Sequence, residues 1–340
     1  MTGSALSSLY GRILEQRARR YATGRTPSHR LAGPVVSVGN ITMGGTGKTP
    51  FVEFLARRFR FEGRRPAILS RGYGRTSSGV VVVSEGNGPR VSVEEGGDEP
   101  VELARRLPGV VIVVARRRVE AARAASGLGA DLFLLDDGFQ HLKVQRDADL
   151  LLLDARDPFG RGDFPPFGRL REPLSALGRA DAVVFTRVAP GFPTQGSLAE
   201  VSRHNPSAPI FTARIRPQGL WDESGSPIEL SALAHRPFVA ICGVAVPESF
   251  SAGLSELDLL AEETLVFRDH HRYRARDIAR IRAAAESTNS AWLLTTEKDA
   301  VKLRGRLALP LATVRLGVEV LEEEFFPFLF EKLESLKSKV

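Results

Sequence analysis

SVGNITMGGTGKTP, residues 37–50, follows the apolar pair Val35 and Val36 and precedes a stretch of helical periodicity. It reads as a strand, a glycine-rich turn and the first turn of a helix. Gly44, Gly45 and Gly47 let the main chain approach an anion closely, in conformations that side-chain-bearing residues avoid. A helix starting there points unpaired N–H groups and the positive end of its dipole at the anion. Lys48 adds a charge within reach of β- and γ-phosphates, and the Thr49 hydroxyl is placed to hold Mg²⁺. The candidate nucleotide-binding set is therefore Thr42, Met43, Gly44, Gly45, Thr46, Gly47, Lys48 and Thr49. Against the P-loop pattern G-x-x-x-x-G-K-[ST], Thr42 stands where the first glycine belongs. A glycine-rich surface turn that happens to contain GKT is the bland alternative, and it leaves the strand before and the helix after without a purpose.

Outward from this loop, short apolar runs alternate with helical patterns. Residues 51–61 carry Phe51, Val52, Phe54, Leu55 and Phe59 at helical spacing, and Pro50 sits where a missing N–H costs little. Runs at 66–70, 110–114, 131–137, 149–154 and 181–186 read as buried strands, and 79–84 with 90–93 as a hairpin. This pattern predicts an α/β fold: a P-loop NTPase-type, mostly parallel sheet with helices on both faces. Ligands gather at the carboxyl ends of such strands. The glycine-rich loop, RGYGR (71–75), Arg116 to Arg118 and the pair Asp136–Asp137 all fall at those ends. Residues 209–228 alternate like a strand around a turn at 222–226, as a linker or a hairpin would. A smaller α/β pattern follows, with strands at 238–242, 264–267, 291–295 and 314–318. The expected division is a basic amphipathic helix (1–30), a P-loop core (31–215), an extended linker (216–230) and a smaller α/β domain (231–340).

Composition narrows the partners. A chain of 340 residues with 43% hydrophobic and 26% charged content has ample core for two domains and is ordinary for a soluble protein. Its one cysteine, Cys242 in the apolar run FVAICGV, excludes an internal disulfide and suits a reducing compartment. The net charge of +7 favours nucleotides, nucleic acid or anionic lipid headgroups. Aromatic content of 7%, with no helix-turn-helix or zinc motif, gives nucleic acid no support. No secretory signal is visible, and no run reaches the roughly 18–20 apolar residues of a membrane span. At the N-terminus Leu6, Leu9, Tyr10, Ile13 and Leu14 share one helical face, followed by Arg17, Arg19, Arg20, Arg25 and Arg30. Such a helix can lie in a membrane interface, or it can dock on its own domain; both readings stay open.

Four acids and two histidines carry the remaining chemistry. The apolar run ending in Asp136 and Asp137 has the form of a Walker B strand, whose carboxylate can hold Mg²⁺ directly or through water; a helix-capping pair before Gly138 is the alternative. GDEP, residues 97–100, offers Asp98 and Glu99, again either site carboxylates or a cap. His270 and His271 lie between Asp269 and Tyr273 with no cysteine or spaced carboxylates to suggest zinc. A histidine paired to a carboxylate suits proton transfer better. Arg116 to Arg118 read as a phosphate clamp or as a solvated helix start.

In their order, SVGNITMGGTGKTP, SRGYGR, GDEP, RRR, DDGFQH, LREP, FRDHHRY and TEKDAVK make this chain resemble the tetraacyldisaccharide 4′-kinases, the lipid A 4′-kinases of bacterial outer-membrane biogenesis. The resemblance spans nearly the whole chain, and the irregular Thr42 position agrees with it. It implies ATP- and Mg²⁺-dependent phosphorylation of the 4′-hydroxyl of an acylated glucosamine disaccharide 1-phosphate. It further implies a peripheral enzyme at the cytoplasmic face of the inner membrane, partnered by that lipid and an anionic membrane surface, with no nucleic acid and no obligate protein partner. Carried over residue by residue, Lys48 and Thr49 serve the phosphates and Mg²⁺, and Thr49, Glu99, Asp136 and Asp137 form the metal shell. Asp98 becomes the catalytic base, supported by a histidine taken as His270, with His271 as the alternative. Arg171 and Glu172 of LREP fall near the nucleotide. The rival reading is a P-loop switch or metallochaperone that hydrolyses nucleotide for a protein partner.

Overall fold

The computed structural model describes residues 2–233, 236–244, 246–269 and 271–335, with side chains from Ser7 onward. His270, expected beside Asp98, lies outside the described residues. The apolar runs become the strands β1 (Val35–Gly39), β2 (Pro66–Ser70), β3 (Val81–Ser84), β4 (Val111–Val114), β5 (Leu132–Asp136), β6 (Ala148–Asp154) and β7 (Ala182–Thr186). They continue as β8 (Ile210–Trp221), β9 (Pro227–Ile228), β10 (Phe238–Cys242), β11 (Glu263–Val266), β12 (Trp292–Thr296) and β13 (Leu311–Val320). The α-helices are α1 (Thr2–Ala22), α2 (Lys48–Phe61), α3 (Val93–Gly96), α4 (Asp98–Arg106) and α5 (Arg118–Gly127). After them come α6 (Gln195–His204), α7 (Pro247–Glu256), α8 (Ala275–Ser287), α9 (Glu297–Leu303) and α10 (Phe325–Glu334).

Among the described residues these strands form one sheet in the order β11-β10-β12-β13-β8-β7-β6-β1-β5-β2-β4-β3, with β9 on β8. β7, β6, β1, β5, β2 and β4 pair in parallel, and so do β13, β12, β10 and β11. β8 runs parallel to β7 and antiparallel to β13, so a long seam joins two parallel halves. Helices cover both faces of the first half. Val36, Val38, Ile68 and Ile112 meet Phe51, Leu55, Phe59 and Leu103 on one side, while Val35, Leu69, Val113 and Phe133 meet Ala121 and Ala125 of α5 on the other. Strands buried on both faces read as near-continuous apolar runs, as these do. Each fully buried Leu or Phe contributes about 1.5–3 kcal/mol.

Three local results depart from or sharpen the sequence reading. Residues 90–93 are not the second arm of a hairpin. Ser92 Oγ accepts from Glu95 N at 3.3 Å while the Glu95 carboxylate accepts from Ser92 N at 3.1 Å, a reciprocal cap that starts α3. β3 therefore takes β4 as its antiparallel partner. Residues 216–230 hold the second half of β8, a turn closed by Ser226 N donating to Asp222 Oδ1 at 2.8 Å, and β9. Finally α10, though last in sequence, packs on the first half: Phe325 stands 5.8 Å from Phe51 and 5.2 Å from Phe211, ring centre to ring centre.

Candidate active site

The glycine-rich loop leaves the carboxyl end of β1 and enters α2 at Lys48. Gly47 has φ 80°, where any side-chain-bearing residue is strained, and a Cβ there would also push the Ile215 Cδ1 methyl aside. Neighbouring segments hold the loop's carbonyls and amides from two sides. Thr186 Oγ1 donates to Thr46 O at 2.9 Å, and the Arg187 guanidinium reaches Gly45 O and Asp154. Opposite, Met43 N donates to Arg169 O at 2.6 Å and Arg171 N to Ile41 O at 2.7 Å, so LREP straps the loop with its backbone. Thr42 pairs with Leu170 in that strap, the Met43 side chain turns to solvent, and Thr46 is buried.

Next to β1 in the sheet, β5 delivers its acids to the same edge, Val38 standing opposite Asp136. Asp137, at φ 53°, turns outward and takes both guanidinium nitrogens of Arg171 at 2.7 and 2.9 Å, with Lys48 Nζ at 3.6 Å. Burial works to raise its pKa, but the Arg171 hydrogen bond and the Lys48 charge hold it below the usual carboxylate range. Asp136 is buried, and burial, with the Glu99 and Asp137 charges beside it, pushes it up to about 7. Ser70 Oγ, at the end of β2, donates to it at 3.1 Å. Below, Arg118 is buried and donates to Ala115 O at 2.8 Å and to Asp136 O at 3.3 Å. Its own burial brings the guanidinium down to about 10. The arginine triplet thus splits: Arg116 and Arg117 are solvated, as one reading had it, and Arg118 is a strut.

GDEP opens α4 facing the start of α2, and Thr49 Oγ1 donates to Glu99 Oε2 at 3.0 Å. Asp98 is buried, with Lys302 Nζ 3.0 Å from its Oδ2. Lys298 lies 3.8 Å from Glu99 and 2.7 Å from Asp269. The structure therefore gathers Lys48, Thr49, Asp98, Glu99, Asp136 and Asp137 at one edge of the sheet. His271 is not among them: its Nε2 lies 3.1 Å from Asp277, which caps α8, and its ring packs on Phe267 and Tyr273. Glu172 turns inward to Arg179 at 3.3 Å. Sequence reasoning assigned no role to Ser70, Arg187, Lys298 or Lys302. The lysines lie in TEKDAVK, a stretch dense in charge directly after an apolar strand, which was the available signal.

These donors fit Mg²⁺. Among the described residues no three carboxylate, imidazole or thiolate groups close on one point. Mg²⁺ does not need such a cage: it keeps waters and binds one or two carboxylates together with substrate phosphates. A hydroxyl and three carboxylates, one of them buried with its pKa raised by burial and by the neighbouring acids, supply oxygen donors beside the phosphate loop.

Known proteins with this sequence pattern and fold agree on one chemistry. A family model described as tetraacyldisaccharide-1-P 4′-kinase matches residues 2–334. The tetraacyldisaccharide 4′-kinase of Syntrophotalea carbinolica is 41% identical over 318 residues, covering 93% of this chain and 86% of that protein. That of Geobacter sulfurreducens is 41% identical over 320 residues, covering 93% and 88%. The crystal structure of LpxK from Aquifex aeolicus in complex with ATP superimposes with a TM-score of 0.77 at 32% identity, covering 98% of this chain and all of that one. On this agreement of motif, fold and length, the chain belongs to the tetraacyldisaccharide 4′-kinase family.

Proposed function

We propose that this kinase transfers the γ-phosphate of ATP in line to the 4′-hydroxyl of a tetraacylated glucosamine disaccharide 1-phosphate, giving lipid IVA, with Asp98 accepting the hydroxyl proton. The observation that carries the reading is the placement of a buried carboxylate, Asp98, beside the Thr49–Glu99 contact at the mouth of the phosphate loop. A base at that point is what an acceptor hydroxyl needs and what a nucleotide switch lacks a use for. Lys48 and the loop amides hold the phosphates and meet the charge that spreads over the transferred group. Thr49, Glu99, Asp136 and Asp137 would hold Mg²⁺, which supplies bridging and neutralisation of the terminal phosphates. Arg171 keeps Asp137 oriented through its forked pair. His270 is assigned as the histidine that supports Asp98 in proton transfer, since His271 is engaged with Asp277.

We also place the enzyme peripherally at the cytoplasmic face of the inner membrane. Among the described residues no helix is long and apolar enough to cross a membrane. α1 presents Leu9, Tyr10 and Ile13 to solvent beside several arginines, which suits an anionic lipid surface. Asp98→Asn tests the reaction. Removing a general base costs about 10²–10⁴ in rate, so kcat should fall by that order with ATP affinity nearly unchanged. A purified, folded Asp98→Asn enzyme phosphorylating the disaccharide at close to the parent rate would remove Asp98 from the chemistry.

A further inference from the structure

Helix α9 brings two lysines, one helical turn apart, onto two consecutive acids. Lys302 Nζ stands 3.0 Å from Asp98 Oδ2 and Lys298 Nζ 3.8 Å from Glu99 Oε1. The acids open α4 in the first half of the sheet, and the lysines follow β12 in the second. The Lys302–Asp98 pair is largely withdrawn from water, with side chains 12% and 7% exposed. Behind it Asp299, wholly buried, lies 3.9 Å from Lys302 Nζ and accepts from Gly243 N at 2.7 Å and Thr296 Oγ1 at 2.8 Å. An amide and a threonine at strand ends thus fix an acid, the acid faces an ammonium, and the ammonium faces Asp98. Lys298 adds a second tie, from Glu99 to Asp269 at 2.7 Å.

We propose that Lys302 is a positioning residue for the base: an ammonium from the second half of the sheet that orients the Asp98 carboxylate, so that the base is assembled only when α9 is seated on α4. The proposal rests on the reading of Asp98 as proton acceptor. Two magnitudes favour orientation over stability. A buried ion pair is a poor stabiliser, because desolvation of both charges offsets their attraction and apolar replacements often do as well. Misplacing a reacting group by about 1 Å, in contrast, can cost about 10²-fold in rate. A neighbouring cation also weakens a base, but phosphoryl transfer passes through a loose transition state in which positioning matters more than basicity. Lys302 Nζ sits at ionic distance from Asp98 without a well-aligned hydrogen bond. Catalytic contacts of this kind commonly tighten only when substrates are bound.

The test uses the full chain with Lys302→Met, Lys302→Arg and Asp98→Asn, each assayed for kcat, for KM of ATP and lipid acceptor, and for thermal melting. Lys302→Met keeps the stem and removes the charge. It should lower kcat about 10–100-fold, with KM for ATP within about twofold, because it disturbs geometry and leaves nucleotide binding intact. Lys302→Arg should recover most of the lost kcat. The double variant with Asp98→Asn should be no slower than Asp98→Asn alone, since groups acting as one unit are non-additive. If Lys302→Met does not fold, Lys302→Gln takes its place under the same criteria. A charge-free variant with near-parental kcat overturns the proposal, as does a loss that arginine fails to restore or a clean multiplication in the double variant. An active Asp98→Asn would instead overturn the assignment of the base itself, whatever Lys302 does.

Discussion

At the scale of single residues, the site is built by setting like charges apart. Asp136 and Asp137 are adjacent in sequence, yet the positive φ at Asp137 sends the second carboxylate out to Arg171 while Asp136 stays under Ser70. One acid is held below the usual carboxylate range and the other is pushed to about 7. Arg118 makes this possible from beneath, by satisfying the carbonyl at the end of β5 where the chain turns. A lysine at 118 keeps the charge but lacks the fork that serves Ala115 O and Asp136 O together. Leaving a buried carbonyl without its donor costs about 1–3 kcal/mol. Arg118→Lys should therefore lower the melting temperature and reduce kcat more than the ATP affinity, readable by calorimetry and steady-state assays. Equal melting curves would show that the strut is dispensable. The acids were legible in the sequence because a carboxylate at the end of an apolar run has few other uses. The strut was not, because the role of Arg118 depends on the fold bringing it to the carbonyl at the end of β5, 18 residues away in the chain.

At the scale of elements, α4 and α9 meet through buried charge. Arg106, near the end of α4, lies between Glu53 of α2 and Glu297 at the start of α9, with Arg315 on the far side at 3.6 Å from Glu297. Burial, with Glu53 and Glu102 close by, raises the Glu297 pKa to about 8 from an ordinary 4.5. Over that interval the folded protein binds a proton that the unfolded chain does not. Stability from this group is thus full below about pH 4.5 and declines as pH rises toward 8. Glu297→Gln cannot ionise and escapes the decline. Its melting temperature relative to the parent should climb from pH 5, where the parent carboxyl is neutral as well, to pH 9. Parallel melting-temperature profiles across that range would show that Glu297 ionises normally. The strands of this region were predictable, since 238–242 and 291–295 are short apolar runs. The β8–β13 seam was not. Both strands are long and only half buried, so their alternation fits a linker or a surface hairpin as well as a central antiparallel pair.

At the scale of the whole molecule, α1 bears on a question that periodicity left open, because one face of the helix is docked and the other is exposed. One face docks: Tyr10 packs edge-on against Phe164 at 5.0 Å, Leu14 joins the core beneath, and Ser175 Oγ donates to Glu15 at 2.6 Å. Arg17 donates to Gln140 O at 3.1 Å, and the Gln140 amide donates to Asn40 O at 2.8 Å, so the helix is two contacts away from the phosphate loop. The other face stays bare, with Leu9 57% and Ile13 54% exposed, and Phe167 at 56% in the loop that carries Phe164. A helix fixed to the body and apolar on its outer side would seat the enzyme on lipid with its active site close to the bilayer. Leu9→Glu with Ile13→Glu should then leave folding nearly unaffected, since exposed substitutions typically change stability by no more than about 0.5 kcal/mol. The pair should weaken binding to anionic vesicles and raise KM for lipid acceptor presented in them, with KM for ATP unchanged. Residual binding should fall steeply with salt. Each arginine near the surface adds about 1 kcal/mol, and that attraction reaches only about 8 Å at physiological ionic strength. Vesicle co-sedimentation at two salt concentrations, together with acceptor kinetics in vesicles, reads all three effects. Undiminished sedimentation of the double variant would assign the bare face to some other surface and leave α1 as a docked helix alone.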